Sequence, residues 1–277
     1  MYIRTLDGLG IGLGEPAPAK VQQPAIRKKF TSDVVAYKDS TGKCQSTNCG
    51  IYVPSALRNP KEIDLLVFFH GLLDVCDSKH QFDPDNVIKK FRLDVQVDSD
   101  PRLALAVPIV LWNSQDRRSG IIRSAWSAAY LNGFAEEVLG QIGKSYGVRP
   151  QLGRLILAGH SAAYDILTPL ADQFECGVAE TKKGALGKLD RVLAMDTTYH
   201  TQDAKALEQW ARAIPSAKFT LVFSKSDPSP SIWRDWENKR KKVTGQDKRP
   251  SNLAVFQHPQ FRHCGLPGSF LLTYVYS

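Results

Sequence analysis

Apolar and polar positions alternate along this chain between short unbroken apolar runs and stretches with helical spacing. VVAY (34–37) and GIYV (50–53) suit a hairpin near one edge of a sheet. LLVFFHG (65–71) is a continuous apolar run closed by glycine, the pattern of a strand covered on both faces. LALAVPIVLW (103–112), RLILAGHS (154–161), RVLAMD (191–196), KFTLVFS (218–224) and LAVFQ (253–257) read the same way. Pro108 lacks an N–H for the ladder and predicts that its strand is irregular or starts late. In the gaps, Trp126, Tyr130, Leu131, Phe134, Val138, Leu139 and Ile142 recur at three- and four-residue steps, and Gly147 and Pro150 stop that helix. Leu207, Trp210, Ala211 and Ile214 repeat the pattern up to Pro215. Strand and helix in alternation predict right-handed crossovers: an α/β fold with a mostly parallel central sheet and helices on both faces.

The 277 residues, 43% of them hydrophobic, suffice for one large core. Residues 1–27 carry alternating Gly8, Gly10, Gly12 and Gly14, then Pro16, Pro18 and Pro24, and read as a flexible leader or linker. Residues 28–277 then form a single domain, with room for a small cap near 228–250. No apolar run approaches the roughly 20 residues that span a bilayer. The amino terminus lacks the apolar core of an export signal, so a cytoplasmic protein is expected. An extracellular one would follow if a leader had been removed or if Cys44 and Cys49 were bridged.

Net charge is +8, which favours anionic partners. The charge is spread rather than blocked, as in many basic enzymes. No aromatic–basic interleaving of a nucleic-acid module is present, so nucleic acid is not an expected partner. Five cysteines are present. Cys44 and Cys49, in KCQSTNCGIYV, either close a disulfide across a hairpin or stay free thiols in a turn. They lack histidines at metal spacing, so no metal site is expected. Cys76, Cys176 and Cys264 are isolated in sequence.

The chemistry concentrates in LILAGHSAAYDILTPLA. An apolar strand runs into Gly159-His160-Ser161-Ala162-Ala163 and a helical stretch follows, the context of a nucleophile elbow. Residues two positions either side of the serine must be small, because strand and helix backbones nearly touch there. Gly159 meets this fully, and Ala163 stands one methyl above glycine. In FFHGLLD, Gly71 lets the backbone turn toward the site, so that the N–H groups of Leu72 and Ala162 are the expected oxyanion donors and His70 is structural. Two carboxylates end strands at the sheet's carboxyl edge, Asp196 and Asp227; either serves as the acid or caps a helix. The base should come last in chain order. His258 and His263 are available, and His263 is preferred because it lies in a loop that can reach back to Ser161. Gly71, His160, Arg117 and Trp233 are the expected substrate-side residues. Arg117 and its neighbour Arg118 lie in WNSQDRRSG (112–120), suited to an anionic substrate, and Trp233 lies in the basic segment 231–250.

These residues resemble the α/β-hydrolase superfamily, in its bacterial esterase-like branch. There an elbow reading roughly GHSGAYR is followed by a strand ending in LLDALYG. The matching residues are Gly159-His160-Ser161-Ala162-Ala163-Tyr164 and Ala194-Met195-Asp196-Thr197-Thr198-Tyr199. The resemblance favours Asp196 over Asp227. This chain departs from it at Ala162, Asp165 and His200. It implies a serine hydrolase of carboxylic esters with a Ser161–His263–Asp196 triad and no cofactor. The alternatives are an amidase or peptidase acting on cell-wall material, and a non-catalytic binding protein of the same fold.

Overall fold

The structure, a computed structural model, describes residues 25–57, 61–72, 83–110, 121–225, 228–244, 248–258 and 260–269. Eight strands, β1 (Ile26–Lys38), β2 (Cys44–Val53), β3 (Glu62–Phe69), β4 (Leu103–Pro108), β5 (Gln151–His160), β6 (Leu189–Met195), β7 (Lys218–Ser224) and β8 (Leu253–His258), form one sheet. Their order is β1-β2-β4-β3-β5-β6-β7-β8. The β1–β2 and β2–β4 pairs are antiparallel, and every pair from β4 to β8 is parallel. Each apolar run of the sequence begins in one of these strands. The first strand begins at Ile26, two residues inside the expected leader and well before the VVAY run. Pro108 closes β4, where a missing N–H costs the ladder least.

The pleat sends alternate residues of the central strands to opposite faces. Leu65, Val67 and Phe69 of β3 join one core, with Trp126, Phe134, Trp210 and Phe219. Leu66 and Phe68 join the other, with Phe91, Ile156, Ala158 and Met195. Both faces are therefore covered, which is why these strands read as unbroken apolar runs. Helices α1 (Pro84–Lys90) and α2 (Leu93–Val97) supply the second core. Helices α3 (Ile121–Ala125), α4 (Ala128–Tyr146), α5 (Tyr164–Glu175), α6 (Thr201–Ala213) and α7 (Ser229–Thr244) supply the first. On α4 the predicted stripe is buried except for Tyr130, which is 44% exposed and off the packed face. Gly147 caps this helix at φ 71°, a left-handed conformation that suits glycine.

Two expectations need correction here. Trp233 does not face a substrate: it is 3% exposed and sits in the first core with Trp236. The physical reason is helical spacing, since α7 turns Trp233, Trp236 and Arg240 inward together. Trp236 Nε1 and Arg240 Nε each donate 2.8 Å bonds to Glu208 Oε2 on α6. Of the two readings of Cys44 and Cys49, the bridge is excluded and the free thiols stand, on a strand rather than in a turn. Cys44 and Cys49 both lie on β2, five residues apart, so the extended strand holds them roughly 16 Å from each other. A disulfide needs Cα atoms within about 7 Å. Both are free, Cys44 exposed and Cys49 buried, and burial pushes the Cys49 thiol well above its usual pKa. Among the described cysteines, Cys264, isolated in sequence, is the one found in a disulfide. No helix among the described residues is long and apolar enough to cross a membrane.

Candidate active site

Strand β5 ends at His160, and a single 3-10 turn (Ser161–Ala163) leads directly into α5. Ser161 occupies φ 54°, in the left-handed region that a non-glycine residue enters only when its surroundings impose it. The sharpness of the turn explains its small neighbours. A Cβ added at Gly159 would stand 3.0 Å from the Ala163 Cβ and 2.7 Å from Leu167 Cδ1. Ala163 is itself fully buried. Gly71, after β3, packs still more closely: its added Cβ would lie 2.5 Å from the Ser161 Cβ and 3.1 Å from the Ser161 Oγ. Only glycine lets the 70–72 loop press its backbone against this serine.

Asp196 follows β6 at φ 48° and is fully buried. Its amide donates to the Val222 carbonyl at 2.9 Å, and its Oδ1 accepts from the Ser224 amide at 2.8 Å. The end of the neighbouring strand β7 thus orients the carboxylate. Its Oδ2 accepts from Nδ1 of His263 at 2.9 Å. His263 sits in a 3-10 turn (His263–Gly265) after β8, with a side chain 16% exposed. His258 ends β8 with its ring against Phe261.

His160, expected beside the substrate, is instead fully buried. It is the last residue of a strand covered on both faces, so its side chain has nowhere to go but inward. Its Nε2–H donates to the His263 carbonyl at 3.0 Å, and its ring lies 4.5 Å from the His263 ring, with Phe91 packed edge-on at 5.8 Å. It holds the His263 turn in place. His70 is also buried: its Nε2 accepts from the Val110 amide at 3.0 Å and its Nδ1–H donates to the Gly71 carbonyl at 2.6 Å. Burial pulls its pKa down to about 4, which keeps it neutral. Asp227, Arg117 and Arg118 lie outside the described residues.

Sequence reasoning matched Tyr199 to the esterase-like strand end but gave it no role. Its hydroxyl is 3.2 Å from Ser161 Oγ. It stands three residues after Asp196, on the loop that leaves the same strand end, and that proximity was the available signal. Its amide donates to Asp203 Oδ2 at 3.1 Å, and its ring lies 5.2 Å from Tyr164. Asp203 is 2% exposed and also accepts from the His200 amide at 2.8 Å and from Thr168 Oγ1 at 3.1 Å. Burial raises its carboxyl pKa.

Among the described residues, His160, Asp196 and His263 could each offer one ligand atom, all within 4.8 Å of one another. In the structure His263 Nδ1 and Asp196 Oδ2 are bonded to each other, the geometry of an imidazole held by a carboxylate.

No protein-family profile and no curated protein matches the chain. Solved structures do. An S-formylglutathione hydrolase from Agrobacterium tumefaciens is 13% identical, covering 91% of this chain and 94% of its own, with a TM-score of 0.53. A variant of a rice-cell-wall-degrading esterase from Xanthomonas oryzae is 9% identical, covering 90% and 87%, with a TM-score of 0.50. Together with the strand order and the turn at Ser161, these matches show that the chain has the α/β-hydrolase fold.

Proposed function

We propose that the chain is a serine hydrolase that cleaves a carboxylic ester through an acyl-serine intermediate. The observation that carries this reading is the 2.9 Å bond from His263 Nδ1 to a buried Asp196, which follows the strand end paired with the one that leads into Ser161, a serine held at φ 54°. In this mechanism the bond to Asp196 leaves Nε2 of His263 as the proton acceptor. His263 takes the proton of Ser161 as Oγ attacks the carbonyl carbon, and Asp196 stabilises the imidazolium that forms. His263 then protonates the departing alcohol. Water, activated by the same imidazole, cleaves the acyl-serine and releases the acid.

The oxyanion donors in this reading are the amides of Leu72 and Ala162. Ala162 lies in the first turn after β5, where leading N–H groups have no helical partner. Leu72 follows the glycine that touches Ser161. Each such donor is worth roughly 3 kcal/mol to the transition state. Of the two solved structures cited above, one is an S-formylglutathione hydrolase and the other an esterase, so esters come first among substrates. The +8 charge makes anionic esters the next set to try.

The test is labelling with a fluorophosphonate followed by peptide mass spectrometry. The expected result is a single adduct on Ser161 that Ser161→Ala abolishes without loss of fold. An unlabelled protein with no turnover on p-nitrophenyl esters would return the chain to a binding role.

A further inference from the structure

Among the described residues, Tyr199 is the side chain outside the proposed triad that lies within hydrogen-bond reach of a reacting atom, its hydroxyl 3.2 Å from Ser161 Oγ. We propose that Tyr199 is a catalytic residue whose phenol donates a hydrogen bond to Ser161 Oγ and so serves the step in which the serine leaves. The inference rests on the acyl-serine reading above and deepens it.

The argument starts from what holds the phenol. The Tyr199 amide is tied to Asp203 Oδ2 at 3.1 Å, and Asp203 is anchored to α5 through Thr168. The ring packs against Tyr164, the first residue of α5, with centroids 5.2 Å apart. Helix α5 also follows directly from the serine turn. Ser161 and Tyr199 are therefore referred to the same rigid element, and their hydroxyls stay together. Between the two, the phenol is the better donor, and an oxygen gaining negative charge is the better acceptor.

The two halves of the reaction ask opposite things of Oγ. In acylation it must offer a lone pair to the carbonyl, and a donor on its other lone pair weakens it as a nucleophile. In deacylation, water adds to the acyl carbon and gives a proton to His263. The C–Oγ bond then breaks, its electron pair goes to Oγ, and His263 returns the proton there. The products are the free acid and the serine hydroxyl. A phenol bonded to Oγ stabilises the charge that collects on that atom in this cleavage, whereas in the attack the same bond is offset by the nucleophilicity it takes from Oγ. Hydrogen bonds to charged groups are strong enough for their loss to cost roughly ten- to a hundredfold in rate.

The experiment uses the full chain with p-nitrophenyl acetate, comparing wild type with Tyr199→Phe, which keeps the ring. The expected variant shows a stoichiometric burst of p-nitrophenol and then a slow steady state. Its kcat and KM fall together, by roughly tenfold or more, with kcat/KM within about twofold of wild type. An acetyl group accumulates on Ser161 by mass spectrometry, and the melting temperature is unchanged. Equal falls in kcat and kcat/KM, or no change in either, would overturn the proposal, because an oxyanion donor or a merely structural ring gives those results. A wild-type protein that turns over with no acyl group trapped on Ser161 would remove the acyl-serine reading, and this role of Tyr199 with it.

Discussion

At the amino ends of β3 and β5, Asp64 is 4% exposed and is surrounded by cations. Its Oδ1 accepts from the Arg154 amide at 2.9 Å, and its Oδ2 accepts from Arg154 Nε and Nη2 at 3.1 and 2.7 Å, with Arg102 at 3.8 Å. At the carboxyl ends of β6 and β7, Asp196 is as deeply buried, but its two oxygens meet a backbone amide and an imidazole. The first carboxylate faces a permanent charge and can only hold. The second faces a group that can take up a proton and give it back. Backbone strain follows the same division: the described non-glycine residues at positive φ are Arg92, Ser161 and Asp196, two of which stand at the carboxyl edge of the sheet. One edge is built for stability and the other carries conformations that stability alone would not select.

The sharpest way to break this comparison is to neutralise the two aspartates separately. Asp196→Asn should lower ester turnover by about 10⁴-fold, because an amide can stabilise the wrong imidazole tautomer, and should leave the fold intact by circular dichroism. Near-normal turnover would end the triad reading.

The next effect comes from His70, beside the strained edge. Its folded pKa of about 4 lies below the usual 6.5, so the unfolded chain binds more protons between these values. Stability should therefore be full above pH 6.5 and fall as pH drops toward 4, by about 3 kcal/mol. Protonation would also set an Nε2–H against the Val110 amide that now donates to it. Urea unfolding across this pH range measures the slope. His70→Gln should flatten it, and an unchanged slope would assign acid sensitivity to other groups.

Gly71→Ala tests the crowding at Ser161. A methyl 2.5 Å from the Ser161 Cβ must displace one backbone or the other. A displacement of about 1 Å should cost roughly 10²-fold in kcat/KM. Fluorophosphonate labelling should slow in parallel.

The smallest effect belongs to the amino edge. Asp64→Asn should reduce stability by about 2 kcal/mol through weakened bonds to Arg154, with kcat unchanged. A fall in kcat there would show that the two edges are not separable.

The strands and helices were legible because each signal is local: unbroken apolar runs, helical spacing, and glycine or proline at the ends. The serine turn was legible for the same reason, since Gly159, Ser161 and Ala163 lie within five residues of chain. Asp196 and His263 were legible as candidates, one at a strand end and one in a late loop. Other assignments depended on direction, which local pattern does not carry. Trp233 and His160 have side chains suited to a binding surface, yet helix phase and strand burial turn both inward. Cys44 and Cys49 are near in sequence but held apart by one extended strand, while Cys264, with no near partner in sequence, is bridged.

By itself, then, the sequence determined the α/β alternation, the elbow and the candidate pool for the site, because those follow from steric and hydrophobic rules acting over a few residues. Tertiary structure alone decided which members of that pool meet. The order β5-β6-β7 sets Asp196 against the Ser224 amide and within reach of His263, and the anchoring of its loop to α5 sets Tyr199 against Ser161. Those contacts span 28 to 67 positions of chain. They exist only once strands distant in sequence lie side by side, and no local propensity encodes that.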